Sequence, residues 1–155
     1  LLPLFMLLRA LKLKNTLFAM ILPYIAFRLP VSIMMIRSFF VGISKELEEA
    51  ATIDGASLFQ IYQNIYLPLS KPILSTVVIM TAYYGWNEFM FATIFVDSSK
   101  LRTIPVGIMT FRDGLMTEWG VVLAGMVIAC VPIMTLFLLM QKSFVRGMTA
   151  GSVKG

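Results

Sequence analysis

From Trp119 to Met140 the chain runs 22 residues without a charged side chain. Coiled into a helix at about 1.5 Å per residue, such a run reaches about 30 Å, the hydrocarbon thickness of a bilayer. Nothing else in the sequence narrows the possible folds as much. Two further segments match it in length. Leu17 to Ile36 covers 20 residues but contains Pro23, Arg28 and Pro30. Ile73 to Val96 covers 24 residues, with Glu88 its only charge. Composition agrees: 59% of the residues are hydrophobic and 14% charged, against roughly 45–50% and 25% in soluble domains. The expected fold is all-α and membrane-spanning, with spans at about residues 17–36, 73–96 and 119–140. Prolines are tolerated within such spans when neighbouring groups satisfy the freed carbonyls. Arg28 is expected to face protein or water, since a charge against lipid is costly.

Several function classes drop out. The net charge is +5, but the 13 basic residues stand singly around the apolar runs. That is the pattern of anchors at a membrane surface rather than a nucleic-acid patch. The chain has no histidine, hence none of the commonest general base and metal ligand. The lone Cys130 lies in an apolar run and cannot form an intrachain disulfide. No Walker-type loop, CxxC pair or Ser-His-Asp set occurs, and no internal repeat. No catalytic residue, metal or cofactor is therefore expected, and no ATP binding by the chain itself. Leu1 to Leu8 is apolar and Arg9 follows. That stretch is too short to span and has its charge on the wrong side for a signal peptide. The expectation is a sequence that begins inside a helix, as the C-terminal part of a longer chain.

Between the first two spans lies a polar insert, residues 41–71, carrying Lys45, Glu46, Glu48, Glu49, Asp54 and Lys71. Ser44 suits an N-cap, with the glutamates in the first turns where the helix dipole favours them. Asp54-Gly55 signals a turn. A second helical stretch is expected from Ser57 to about Tyr66, ending near Pro68, with Pro72 opening the next span. The insert reads as two short helices around a glycine hinge, outside the bilayer. Glu46 and Glu48 are expected to be solvated. The loop Asp97 to Glu118 falls on the opposite side, and the tail returns to the insert's side. Six basic residues on each side leave the orientation undecided by charge.

Within the insert stand Glu49-Ala50-Ala51, three residues, Gly55, nine residues, and Ile65-Tyr66-Leu67-Pro68. This resembles the EAA loop of ABC importer permeases, with every fixed position filled at the family's spacing. "LEEAATIDGAS", "LPLSKP", "WNEFMFA", "TIPVGI" and the terminal "AGSVKG" further resemble the MalG-like branch of binding-protein-dependent carbohydrate importers. The likeness runs from roughly Asn15 to Gly155, with Ser44 and Ser152 departing from the usual proline and alanine. It implies an ABC type I importer (MetI-like) transmembrane domain lacking the N-terminal spans. The protein would be a multi-pass permease subunit of a bacterial-type cytoplasmic membrane, translocating a sugar or oligosaccharide. It also implies partners: an ATP-binding subunit dimer that hydrolyses ATP, a second homologous permease and an extracytoplasmic solute-binding protein.

The same resemblance makes the insert cytoplasmic, with Glu49, Ala50, Ala51, Asp54, Gly55, Ile65, Leu67 and Pro68 forming the element that docks on the ATPase. The physics is consistent with this. Ala50 and Ala51 permit close approach, Gly55 a sharp turn, and Glu49 offers a carboxylate to a partner arginine. Leu58, Phe59 and Ile61 can anchor the helix pair to the permease or the partner. The tail AGSVKG would reach toward the ATPase dimer interface or fray. Trp86, Asn87 and Glu88 are candidates for a sugar pathway. An acidic group inside a span is a functional candidate, and the competing reading of Glu88 is a carboxylate bonded to backbone or to a neighbouring helix. The rival functions are a permease for another small solute, an ion-driven secondary transporter, which would show discontinuous helices and repeats, and a membrane-anchored scaffold.

Overall fold

A computed structural model describes residues 1–112 and 117–149, with the backbone alone for 142–149. Its helices are α1 (Leu2–Ala10), α2 (Phe18–Val41), α3 (Lys45–Ile53), α4 (Leu58–Leu69), α5 (Lys71–Trp86), α6 (Met90–Phe95), α7 (Ile104–Met109) and α8 (Trp119–Thr149). A 3₁₀ turn, Ser99–Leu101, precedes α7. Among the described residues there is no strand beyond one isolated bridge, Arg112 to Thr117. The terminal AGSVKG lies outside the described residues.

α2 and α8 are each long and apolar enough to cross a membrane. In their most apolar windows only 11% and 6% of residues are buried. Met34, Val127 and Leu139 are more than half exposed. A surface this apolar is stable only against lipid or other protein. α4 and α5 pass the same test together, bent by 61° at Ser70. α5 alone has 16 residues, about 24 Å at the helical rise, short of a bilayer core. The single span expected over 73–96 is thus divided: α5 ends at Trp86, residues 87–89 leave the helix, and α6 resumes at Met90. The loop expected over 97–118 likewise contains a helix, α7, with Pro105 in its first turn, where a missing N–H costs nothing.

The chain divides into two compact units, Leu1–Leu29 with Thr81–Leu136 and Pro30–Met80 with Phe137–Gly155. In the first, Leu8, Ala19, Phe91 and Phe95 form the buried cluster. Phe91 stacks on Phe95 at 5.3 Å and takes the edge of Tyr24 at 5.3 Å. Ala19 is fully buried, its small side chain allowing close helix approach as in other membrane bundles. Asn15, at φ 60°, ties this unit together. Its N–H donates to the Phe95 carbonyl at 2.8 Å, and its Oδ1 accepts from the amides of Asp97 and Ser98 at 3.1 and 2.8 Å. The left-handed region is open to asparagine at little cost. Lys14 adds an ion pair to Asp97 at 2.9 Å. Arg28 meets the expectation of a protein neighbour: its guanidinium lies 3.4 Å from the Tyr84 ring centre, while its Nε is buried without a hydrogen-bond partner among the described residues.

Candidate functional site

In the second unit every helix end of the insert is closed by its own sequence. Ser44 Oγ accepts the Glu46 amide at 3.2 Å, the N-cap expected from the sequence. α3 ends in a Schellman arrangement: the Ala56 amide donates to the Ala51 carbonyl and the Gly55 amide to the Thr52 carbonyl, both at 3.0 Å. The geometry places Gly55 at φ +79°, and a Cβ built there meets nothing within 4 Å. The demand for glycine is therefore a backbone demand, not a packing one. α4 opens with a reciprocal capping box between Ser57 and Gln60.

α4 does not stop near Pro68 as expected; it continues to Leu69 through a π-helical stretch, Tyr62–Tyr66. A proline in an α-helix clashes with the carbonyl four residues back, here that of Asn64. The wider π turn relieves that clash, with the Leu67 amide reaching the Tyr62 carbonyl.

The motif residues fall on both sides of this helix pair. Glu49, Ala50, Asp54, Gly55, Leu67 and Pro68 are exposed, while Ala51 and Ile65 are half-buried. Ile61 is buried and packs inward. Leu58 and Phe59 point outward at 80% and 70% exposure, beside Ile53 at 86%. Glu46 is exposed as expected, but Glu48 is half-buried and accepts the Tyr66 hydroxyl at 2.7 Å. That hydrogen bond holds the Tyr66 pKa above the ordinary tyrosine range, with desolvation and the Glu48 charge acting in the same direction. The Tyr66 ring takes the edge of Phe40, at the end of α2, at 5.7 Å. Tyr66 occupies the free position of the I-x-L-P motif, so spacing carried no signal for it.

The second candidate group lies in the first unit, at the break after α5. Asn87 bonds back to the Tyr83 carbonyl through both its amide and its Nδ2, at 3.1 and 2.8 Å. Glu88 is only 3% exposed. Its two carboxylate oxygens accept the amides of Phe91 and Ala92 at 2.6 and 2.7 Å, and its carbonyl accepts the Thr103 hydroxyl at 2.6 Å. This is the backbone-bonded arrangement that competed with a pathway role. Opening a helix in an apolar setting leaves N–H groups that must be satisfied, and Glu88 satisfies two.

Trp86 donates from Nε1 to the Ala129 carbonyl of α8 at 2.9 Å. Ala129 sits one turn before Pro132, which interrupts the helix bonding there. Trp86 and Asn87 line an open, mostly apolar cleft of about 620 Å³ with Tyr83, Phe89, Met126 and Cys130, and Glu88 is not among its walls. The three residues adjacent in sequence are therefore separated in space by role: two face a cleft and one closes a helix end. Among the described residues no cluster of His, Cys, Asp or Glu could hold a metal ion.

Apolar helices of spanning length, a broken helix and a capped polar helix pair define a multi-pass transport protein of the ABC type I importer (MetI-like) fold. The chain belongs to the family of binding-protein-dependent transport system inner membrane components, whose model matches residues 1–150. It is 59% identical over 155 residues to a probable ABC transporter permease protein, YurM, of Bacillus subtilis, covering all of this chain and 52% of that protein. It is 43% identical over 143 residues to the trehalose/maltose permease MalG of Thermococcus litoralis, covering 91% of this chain and 51% of that one. A crystal structure of a bacterial ABC transporter involved in alginate import superposes with a TM-score of 0.72 at 28% identity, covering 93% of this chain and 56% of that chain. The chain thus spans about half the length of the relatives it matches.

Proposed function

We propose that the chain forms the coupling and pathway half of a permease subunit in an ATP-driven carbohydrate importer, and that residues 41–71 dock on the ATP-binding subunit. The observation that carries this reading is the insert's build. Each of its helix ends is capped by local side chains or by Gly55, yet Ile53, Leu58 and Phe59 are left facing outward. A surface fixed this closely while leaving large apolar side chains exposed is suited to burial against a partner. Glu49 is exposed nearby, available to a partner arginine.

On this reading the insert is cytoplasmic, the spans are α2, the α4–α5 region with α6, and α8, and the loop 97–118 is external. A second homologous permease completes the channel, an extracytoplasmic binding protein delivers the substrate, and closure of the ATPase dimer rocks the helices between two openings. The carbohydrate assignment is supported by the names of the relatives, a trehalose/maltose permease and an alginate importer. Trp86 and Asn87, on the cleft, are the better candidates for the substrate path, and Glu88 supports them from behind. Helix breaks also occur in ion-driven transporters, but here the carboxylate at the break is fully engaged by the chain's own amides.

The test uses the full-length permease carrying Phe59→Asp or Glu49→Lys, expressed with its ATPase, partner permease and binding protein. Both variants should reach the membrane at normal level, retain less ATPase on purification, and lose binding-protein-stimulated hydrolysis. Normal assembly together with normal stimulated hydrolysis in both would show the insert to be a mere surface loop.

A further inference from the structure

We propose that Tyr66 and Glu48 form a latch that makes the docking insert and the adjacent end of α2 move as one body. The proposal rests on the reading of the insert as the docking element, and it identifies which residues carry motion out of that element.

α3 contains Glu49, Ala50 and Ala51 but has no buried residue, so no side chain of its own seats it in a core. Its one printed side-chain bond to a distant segment is the Glu48 carboxylate, which accepts the Tyr66 hydroxyl 18 positions away at 2.7 Å. A hydroxyl bonded to an ionised carboxylate is roughly twice as strong as a neutral pair. The same tyrosine takes the edge of Phe40 on α2 at 5.7 Å and 69°. One side chain on α4 therefore touches both α3 and α2. Its backbone lies in the π-helical stretch before Pro68, and the altered helical period there changes the direction in which the side chains after it project. An open cleft of about 450 Å³, lined by Ile33, Ile36, Arg37, Phe40, Val41 and Tyr66 itself, leaves one side of the ring unpacked. With that side open, the hydroxyl bond is what fixes the ring's orientation. Without it, α3 would hang from the covalent turn at Gly55 and the short link to α2.

Substitutions separate the parts of the latch. Tyr66→Phe keeps the ring against Phe40 and removes only the donor. Glu48→Ala removes the acceptor, whereas Glu48→Gln keeps a carbonyl oxygen in its place. The experiment places spin labels at Thr52 on α3 and Ser38 on α2, both exposed, in a cysteine-free full-length permease including Cys130→Ser. The labelled permease is assembled with its ATPase and second permease in lipid nanodiscs, and the inter-label distance is measured with and without ATP. The parent and Glu48→Gln should each show one narrow distance, the same in both nucleotide states. Tyr66→Phe and Glu48→Ala should lose it, with a broadened distribution that shifts when ATP is added. A narrow, unmoved distance in Tyr66→Phe and Glu48→Ala would overturn the latch. Retention of the ATPase by the unlabelled parent is scored separately. If the parent did not hold its ATPase while the distances still behaved as stated, the docking reading would fail and the latch would stand.

Discussion

Replacing Glu88 tests how a helix can be broken inside an apolar region. In Glu88→Ala the amides of Phe91 and Ala92 lose acceptors that now stand at 2.6 and 2.7 Å. Both residues are buried, so water cannot easily replace the carboxylate. An orphaned buried donor costs about 1–3 kcal/mol, which puts the gross loss at roughly 2–6 kcal/mol for the pair. Removing a buried charge returns part of this, because desolvating a carboxylate is itself expensive. A net destabilisation of about 2–4 kcal/mol is the expected result. Glu88→Gln keeps one acceptor oxygen but turns an NH₂ toward the other amide, so it should lose about half as much. The assay is thermal unfolding of the detergent-solubilised full-length permease, with substrate uptake measured beside it. The expected order of stability is parent, then Gln, then Ala, with uptake falling in step with the folded fraction. If Glu88→Ala unfolded at the parent's temperature while uptake disappeared, the carboxylate would belong to the transport path and the capping argument would fail.

Gly55→Val should strain the α3 terminus by about 1–2 kcal/mol, the price of the left-handed region for a side chain with Cβ, or more because valine is β-branched. Gly55→Asn should be nearly silent, and membrane level with ATPase retention would distinguish the two. Equal behaviour of valine and asparagine would mean that the φ of +79° is not required. Trp86→Phe keeps an aromatic wall on the cleft but leaves the Ala129 carbonyl unpaired, and should lower thermal stability by about 1 kcal/mol. In a Pro132→Ala background the same change should cost less, because the restored helix bonding satisfies the carbonyls near the kink. Equal costs in both backgrounds would separate Trp86 from the kink.

Much of this protein is legible along the chain because the deciding interactions are local. A charge-free run from Trp119 to Met140 can do little but cross a bilayer as a helix. The caps of the insert, Ser44 and Gly55, act on amides and carbonyls within five residues, so composition and spacing reveal them. The EAA pattern is visible for the same reason: its alanines, glycine and proline occupy fixed steps along one helix pair.

Only the folded chain decides what depends on groups far apart in sequence. A glutamate near the middle of an apolar run reads as a pathway residue, and its true partners were in fact only three and four residues away. They became available because the helix opened at Asn87, a break that depends on Thr103 and the packing of Phe91 and Phe95. Glu48 reads as solvated until Tyr66, 18 residues on, is turned toward it. Trp86 has no visible acceptor until α8 brings Ala129, 43 residues on, beside its indole. Helical periodicity and capping are properties of a few consecutive residues, whereas the direction of a polar side chain in an apolar interior is set by whichever unsatisfied backbone group the fold brings within 3 Å.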